Sequence, residues 1–176
     1  MQIIPQPLFP SMVWSTRFDD HATLNAELMK LIHQMQEKNP AGVQNTNVKG
    51  WQSPNNLQML PEFNLINHQA WVNVSPPGAS NKIHYHANCH FSGVYYVSLK
   101  APECGSIYFR DPRVASRMMT YPVTQLSEFT AEEIQMKPEE GRLYVFPGWL
   151  EHGVEENRSD RDRVSISFNV LATQQR

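Results

Sequence analysis

Three of the chain's seven histidines crowd into one short run, Asn81-Lys-Ile-His84-Tyr-His86-Ala-Asn-Cys89-His90. Imidazole is a ligand suited to iron, zinc, copper or nickel. Side chains at i and i+2 of a strand share one face, so a strand here would project His84 and His86 together, with Tyr85 opposite. A third imidazole is available far along the chain. His152 follows Phe146-Pro147-Gly148-Trp149, an apolar segment that turns sharply and can leave His152 at a strand's end. Three such ligands cover one side of a metal and leave other positions open, as catalytic sites require. The ordinary alternative is a surface or hydrogen-bonded histidine, and an HxH pair alone is a weak signal.

The C-terminal segment alternates cleanly. Arg163, Ser165, Ser167 and Asn169 share one face, and Val164, Ile166, Phe168 and Val170 share the other. Such a strand either turns its polar side to water or lines a ligand cavity with it. In the second case a buried Arg163 needs an anionic partner. Its guanidinium can grip a carboxylate through two parallel hydrogen bonds, with the Ser165 hydroxyl adding a third. A dicarboxylate ligand would supply that anion. Tyr96 shares a face with Ser92 and Val94 and can bring its hydroxyl to the same carboxylate; a core tyrosine with a satisfied hydroxyl is the alternative.

The elements that must position these groups are mostly short strands. They are expected near 70–75, 82–86, 91–98, 106–110, 133–137, 142–147 and 163–171, punctuated by Pro76-Pro77-Gly78, Cys104-Gly105, Asp111-Pro112 and Glu140-Gly141. That texture predicts an all-β sandwich or barrel. Residues 1–18, with three prolines, read as extended chain carrying an edge strand at most. Leu24, Leu28, Leu31, Ile32 and Met35 form one apolar stripe and predict a helix over 20–38, capped by Asp19 and Asp20 and ended by Asn39-Pro40 and Gly42. His33 lies off that stripe, as a solvated residue would. Residues 39–56 read as a polar loop with Trp51 packed into the core, and a short helix is expected over 61–68.

A length of 176 residues fits one domain with a real core. The expected division is a supporting extended segment with helices over 1–68 and a β core over 69–172. The formal charge of −2 disfavours nucleic acid as a partner. Cys89 and Cys104 lack CxxC spacing and read as free thiols in a reducing, cytoplasmic setting. No run approaches the roughly 20 apolar residues of a membrane span, and the proline-broken start lacks the basic region of a signal peptide.

Taken in order, Trp51-Gln52-Ser53, Pro76-Pro-Gly-Ala-Ser-Asn81, His84-Tyr-His86, Ser92-Gly-Val-Tyr-Tyr-Val97, Phe146-Pro-Gly-Trp149-Leu-Glu-His152 and Arg163-Val-Ser-Ile-Ser-Phe-Asn169 resemble the Fe(II)- and 2-oxoglutarate-dependent oxygenases. The similarity is greatest to the small 2-oxoglutarate–Fe(II) oxygenases of that superfamily and more distant to prolyl hydroxylases. It runs from about Trp51 to the C-terminus. The resemblance implies a mainly β fold, a double-stranded β-helix (jelly-roll) core with an N-terminal supporting helix. It implies Fe(II) held by His84 and His152, with His86 at the second-ligand position. It further implies 2-oxoglutarate anchored by Arg163, with help from Tyr96 and Ser165, and Asn169 on the same inner face. The expected activity is a dioxygenase using O₂ to hydroxylate a small-molecule or peptidyl substrate while 2-oxoglutarate is decarboxylated to succinate.

The chain departs from the wider superfamily at one ligand. The common triad is two histidines and a carboxylate, yet His86 stands where Asp is usual. Either His86 ligates directly, or a carboxylate such as Asp111 completes the set; a turn residue is the other reading of Asp111. Trp51, Tyr108, Arg110, Arg113 and Trp149 are candidates for a substrate rim. Two competing functions remain at this stage: a cupin-like three-histidine metalloprotein that does not use 2-oxoglutarate, and a non-catalytic binding module on the same fold. The identity of the substrate and the oligomeric state, a homodimer included, are not legible in the residues.

Overall fold

The computed structural model describes residues 9–57, 68–118, 122–127 and 129–171. Strands dominate. They run β1 (Trp14–Arg17), β2 (Asn47–Val48), β3 (Trp51–Gln52), β4 (His68–Ser75), β5 (Ser80–His84), β6 (Phe91–Ser98), β7 (Ile107–Arg110), β8 (Glu133–Met136), β9 (Arg142–Pro147), β10 (His152–Val154) and β11 (Arg163–Val170), with helix α1 (His21–Lys38) after β1.

Two antiparallel sheets result. The larger has the order β1-β9-β6-β11-β4-β3, and the smaller β2-β5-β10-β7-β8. From β4 onward the chain alternates between them, with one hairpin, β7–β8, inside the smaller sheet. That gives four strands to each sheet, β4-β11-β6-β9 facing β5-β10-β7-β8, which is the double-stranded β-helix. The short strands β1, β2 and β3 extend its edges.

The sequence dictates which faces are buried. In β6, Tyr95 and Val97 join a cluster with Ile32, Val72, Val74, Val164 and Ile166 on the outer face of the larger sheet. Val94 and Tyr96 join Ile107, Phe109, Tyr144, Phe146 and Leu150 between the sheets. The middle of β6 is covered on both sides, so residues 94–97 read as an unbroken apolar run. Helix α1 supplies the outer cover through Ile32, with Leu28, Met29 and Met35 packed alongside. Its buried Asn25 accepts a hydrogen bond from the Tyr95 hydroxyl at 2.7 Å.

Most expected elements lie where periodicity puts them, with β6 and β9 coincident with the predicted spans and β1 at a sheet edge. Others differ. The polar stretch 39–56 contains β2 and β3, two-residue strands created by pairing with β5 and β4 rather than by their own composition. Trp51 lies in β3, packs against the outer core and donates its indole N–H to the Asn39 carbonyl at 2.9 Å. Asp20 occupies the position before α1, but its side chain makes no capping hydrogen bond. β10 was too short, at three residues, to show as a pattern. The helix expected over 61–68 falls on residues outside the described ones, except for His68, which begins β4. No helix among the described residues is long and apolar enough to cross a membrane.

Candidate functional site

β10 lies between β5 and β7, and its first residue sets the centre of the smaller sheet. His152 pairs with His84 on one side and with Phe109 on the other. The imidazole centroids of His84 and His152 are 4.4 Å apart. His86 joins them by a different route from the one its spacing suggested. β5 ends at His84, so the shared-face argument for His84 and His86 does not apply. His86 instead enters on a loop held against the turn after β9: its N–H donates to the Gly148 carbonyl at 2.8 Å, and the Gly148 N–H donates to the His90 carbonyl at 3.0 Å. Glycine is required at that turn, because a Cβ at Gly148 would overlap the Cys89 side chain and backbone. The His86 ring centroid lies 5.0 Å from His84 and 5.2 Å from His152.

One nitrogen from each ring lies within 4.8 Å of the others, a cluster able to hold a metal ion. The chemistry of the donors fits an ion. The Nδ1 atoms of His84 and His152 donate to the carbonyls of Lys82 at 2.7 Å and Leu150 at 2.8 Å. A carbonyl only accepts, so both rings carry their proton on Nδ1 and offer an Nε2 lone pair. Burial and mutual repulsion keep the cluster neutral. Burial, with the charge of His84, lowers His152 to about 3 and His86 to about 4, and burial lowers His84 as well. Neutral imidazole is the ligating form.

Asp111 does not join the cluster. Its carboxylate accepts from the Arg113 backbone at 2.9 Å, the Arg113 guanidinium at 2.7 and 3.0 Å, and Ser116 Oγ at 2.8 Å. These bonds hold its carboxyl well below the usual range and make it a turn residue after β7.

Across the sandwich, the polar face of β11 lines a cavity of about 260 Å³ that also contains the three histidines. Of the two readings of that strand, the cavity-lining one holds. Arg163 is 2% exposed. Its Nη1 donates to the carbonyls of Cys104 and Glu155. Gly105, at φ +79°, allows the close approach that brings these two carbonyls together, since a Cβ there would overlap the Glu155 and Glu156 backbone. Nη2 of Arg163 is buried with no partner among the described residues. The nearby Glu155 carboxylate is engaged elsewhere, by the Ser106 N–H at 3.0 Å and Gln135 Nε2 at 3.0 Å. Burial pulls the Arg163 guanidinium down and pushes the Tyr96 hydroxyl up. A guanidinium held by two carbonyls, with one buried donor unmet, is able to seat an anion.

Tyr96, Ser165 and Asn169 line the same cavity. Asn169 Oδ1 accepts from Ser92 Oγ at 2.8 Å and its Nδ2 donates to Gln69 Oε1 at 3.3 Å. None of the five rim candidates lines the cavity. Arg110 pairs with Glu133 at 2.6 Å, Arg113 with Asp111, and the Tyr108 ring covers Gly153. The wall comes instead from β4 and from the segment carrying β2 and β3: Asn45, Thr46, Gln52, Asn55, Trp71 and Asn73. A signal existed for two of these. Trp71, Asn73 and Ser75 alternate with Val72 and Val74, and pair with Ser167, Ser165 and Arg163 across the sheet.

A family model described as "Putative 2OG-Fe(II) oxygenase" matches residues 69–169, more than half of the chain. No curated protein sequence matches it. Among solved structures, the chain is similar to a prolyl-4-hydroxylase of Pseudomonas putida at 15% identity, with a TM-score of 0.64 over 93% of this chain and 94% of that one. It is similar to the non-haem alpha-ketoglutarate-dependent carbocyclase SnoK from nogalamycin biosynthesis at 10% identity, with a TM-score of 0.66 over 90% and 78%. It is also similar to HygX from Streptomyces hygroscopicus, solved with nickel and 2-oxoglutarate bound, at 9% identity, with a TM-score of 0.61 over 91% and 83%. At such identities these likenesses show the fold, which is the double-stranded β-helix traced above. The matched span begins inside β4 and ends inside β11, and so takes in the histidine cluster and the anion seat together. The chain therefore belongs to the 2OG-Fe(II) oxygenase family.

Proposed function

We infer that the chain is an Fe(II)- and 2-oxoglutarate-dependent dioxygenase that hydroxylates a second substrate. The observation that carries this reading is the unpaired, buried Nη2 of Arg163 in the cavity that holds the three histidines. A buried, unmet guanidinium beside the cluster calls for an anionic group on whatever binds there, and 2-oxoglutarate carries one.

In this reading His84, His86 and His152 hold the metal, and the carbonyls of Lys82 and Leu150 fix the ring orientations of two of them. Bound iron would supply activation of O₂ coupled to decarboxylation of 2-oxoglutarate to succinate. Arg163 Nη2 grips the far carboxylate of the cosubstrate, and the hydroxyls of Tyr96 and Ser165 add neutral donors. Val94, Ile107, Phe146 and Val154 form the apolar part of the same cavity's lining. Three neutral ligands leave the charge of a divalent ion uncompensated by protein, which favours a dianionic cosubstrate and leaves less room for a halide. The free thiols Cys89 and Cys104 suit a reducing, cytoplasmic compartment.

The donor set also favours a second reading, because no carboxylate among the described residues belongs to it. Three-histidine iron could act on a bound substrate without a cosubstrate, with Arg163 holding the substrate's own carboxylate. Requirement for 2-oxoglutarate separates the two. The test is succinate formation from 2-oxoglutarate with added Fe(II) in air, beside anaerobic titration of the Fe(II)–2-oxoglutarate absorption band. Succinate or the band supports the proposal; absence of both overturns it.

A further inference from the structure

The pairing register arranges the cavity floor in rows across the larger sheet. Arg163 and Ser75 form one row, and Tyr96, Ser165, Asn73 and Gln52 the next. Ser167 and Trp71 follow, beside Val94, and then Asn169 and Gln69, beside Ser92. The cosubstrate seat belongs to Arg163 and its neighbours on β6 and β11. The β4 and β3 side has a different chemistry, made of carboxamides.

Asn73 is the informative member. It is 8% exposed, lines the cavity, and bonds Ser167 Oγ through one end of its amide at 3.1 Å. The other end is buried without a partner among the described residues. Gln52 stands opposite Asn73 in the register and bonds Asn55 at 3.2 Å, and Asn45 and Asn81 approach from the smaller sheet. Among the described residues lining the cavity, Arg163 is the one charged side chain apart from the titratable histidines. A charged substrate group would be buried there without a counter-ion, which is costly, whereas a neutral amide exchanges its water for the amide of Asn73. Trp71 supplies an aromatic wall, its ring centroid 5.6 Å from that of His86.

We propose that the second substrate is an uncharged, amide-bearing molecule, and that Asn73 fixes its amide group beside the histidine cluster. This deepens the oxygenase reading and rests on it. The segment 45–55, which carries both β2 and β3, lines the same side of the cavity. In this proposal Asn73 acts on the affinity for the second substrate, and Arg163 on that for the cosubstrate.

The test is saturation-transfer NMR on the full chain with Zn(II), a redox-inert stand-in, and 2-oxoglutarate. The probes are N-acetylglycinamide and the lactam 2-pyrrolidone, which distinguish open-chain from cyclic amides. Controls are N-acetylglycine, with a carboxylate, and 1,3-propanediol, with hydroxyls alone. The proposal expects saturation of at least one amide probe, an effect at least tenfold weaker for both controls, and loss of amide binding in Asn73→Ala with 2-oxoglutarate binding retained. Asn73→Ser, which keeps a partner for Ser167, makes the same comparison if Asn73→Ala does not fold. Equal binding of a control, no amide binding, or amide binding unchanged in the variant overturns it. Amide binding with no 2-oxoglutarate binding leaves the amide site standing and overturns the cosubstrate reading instead.

Discussion

His152 on β10 stands directly opposite His84 on β5, with ring centroids 4.4 Å apart. The two residues are brought together by strand pairing and not by a loop, so their spacing is as rigid as the smaller sheet. His86, the third member, arrives on the loop after β5 and is held by the turn at Gly148. Removing a sheet-borne ligand should cost more than the roughly 10–100-fold in metal affinity that loss of an outer hydrogen-bond partner costs. His152→Ala and His84→Ala should therefore bind Fe(II) or Zn(II) far more weakly than wild type, with little change in far-UV circular dichroism. Titration with a competing chelator measures it.

Arg163 is expected to act on cosubstrate affinity. Truncating one partner of a buried, hydrogen-bonded charge pair costs about 2–5 kcal/mol, or roughly 30-fold and more in affinity. Arg163→Met should raise the apparent 2-oxoglutarate requirement by that factor and leave metal affinity nearly unchanged. Arg163→Lys should recover only part, since an ammonium cannot bond two carbonyls and a carboxylate with a planar fork. Anaerobic titration of the metal-loaded variants checks both.

Acid should destabilise the metal-free protein through the same cluster. His152 and His86 sit at about 3 and about 4 in the folded chain, against roughly 6.5 when unfolded. Between those values the unfolded state binds more protons, so stability is full above about pH 6.5 and falls as pH drops toward the folded values. Melting temperatures of the metal-free chain should decline from pH 7.5 to pH 4.5, and His152→Gln should flatten the decline.

Gly148→Ala should disturb His86 specifically. The added methyl meets Cys89, whose loop carries His86, and overpacking of this kind costs about 1–3 kcal/mol. The variant should melt lower and bind metal more weakly, and Cys89→Ala in the same background should restore part of both losses.

Asp111→Asn tests the donor set from the other side. Asp111 is bonded to Arg113 and Ser116, so its loss should loosen that turn and leave metal stoichiometry at the wild-type value. A fall in bound metal would return a carboxylate to the ligand set.

Strong local patterns were legible in the sequence. The alternation in 163–170 marked a strand with one polar and one apolar face, and the segments 91–98 and 142–147 were marked as strands with the bounds that β6 and β9 have. β2, β3 and β10 were not legible, because two or three residues carry no period and their pairing is imposed by partners distant in sequence. The same limit explains His86. Its spacing from His84 suggested one strand face, whereas a turn some sixty residues later, at Gly148, holds it. Rim residues were sought among large aromatic and basic side chains, yet part of the cavity wall is Asn45, Thr46, Gln52 and Asn55, from a stretch whose composition marked it only as loop, beside Trp71 and Asn73 of β4.

The position of β11 has a consequence for biosynthesis. It lies between β4 and β6 and pairs with both along nearly its full length, yet it leaves the ribosome after every other strand of the two sheets. Until it emerges, β4 and β6 share no partner, the larger sheet is split in two, and the outer core under α1 lacks Val164 and Ile166. A nascent chain stalled before residue 163 would hold all three histidines but lack Arg163 and the strand that joins the two halves of the larger sheet. Final closure by this strand is a long-range event of the kind that makes β topologies fold slowly, and it brings the buried arginine to the cavity after every histidine of the cluster has been made.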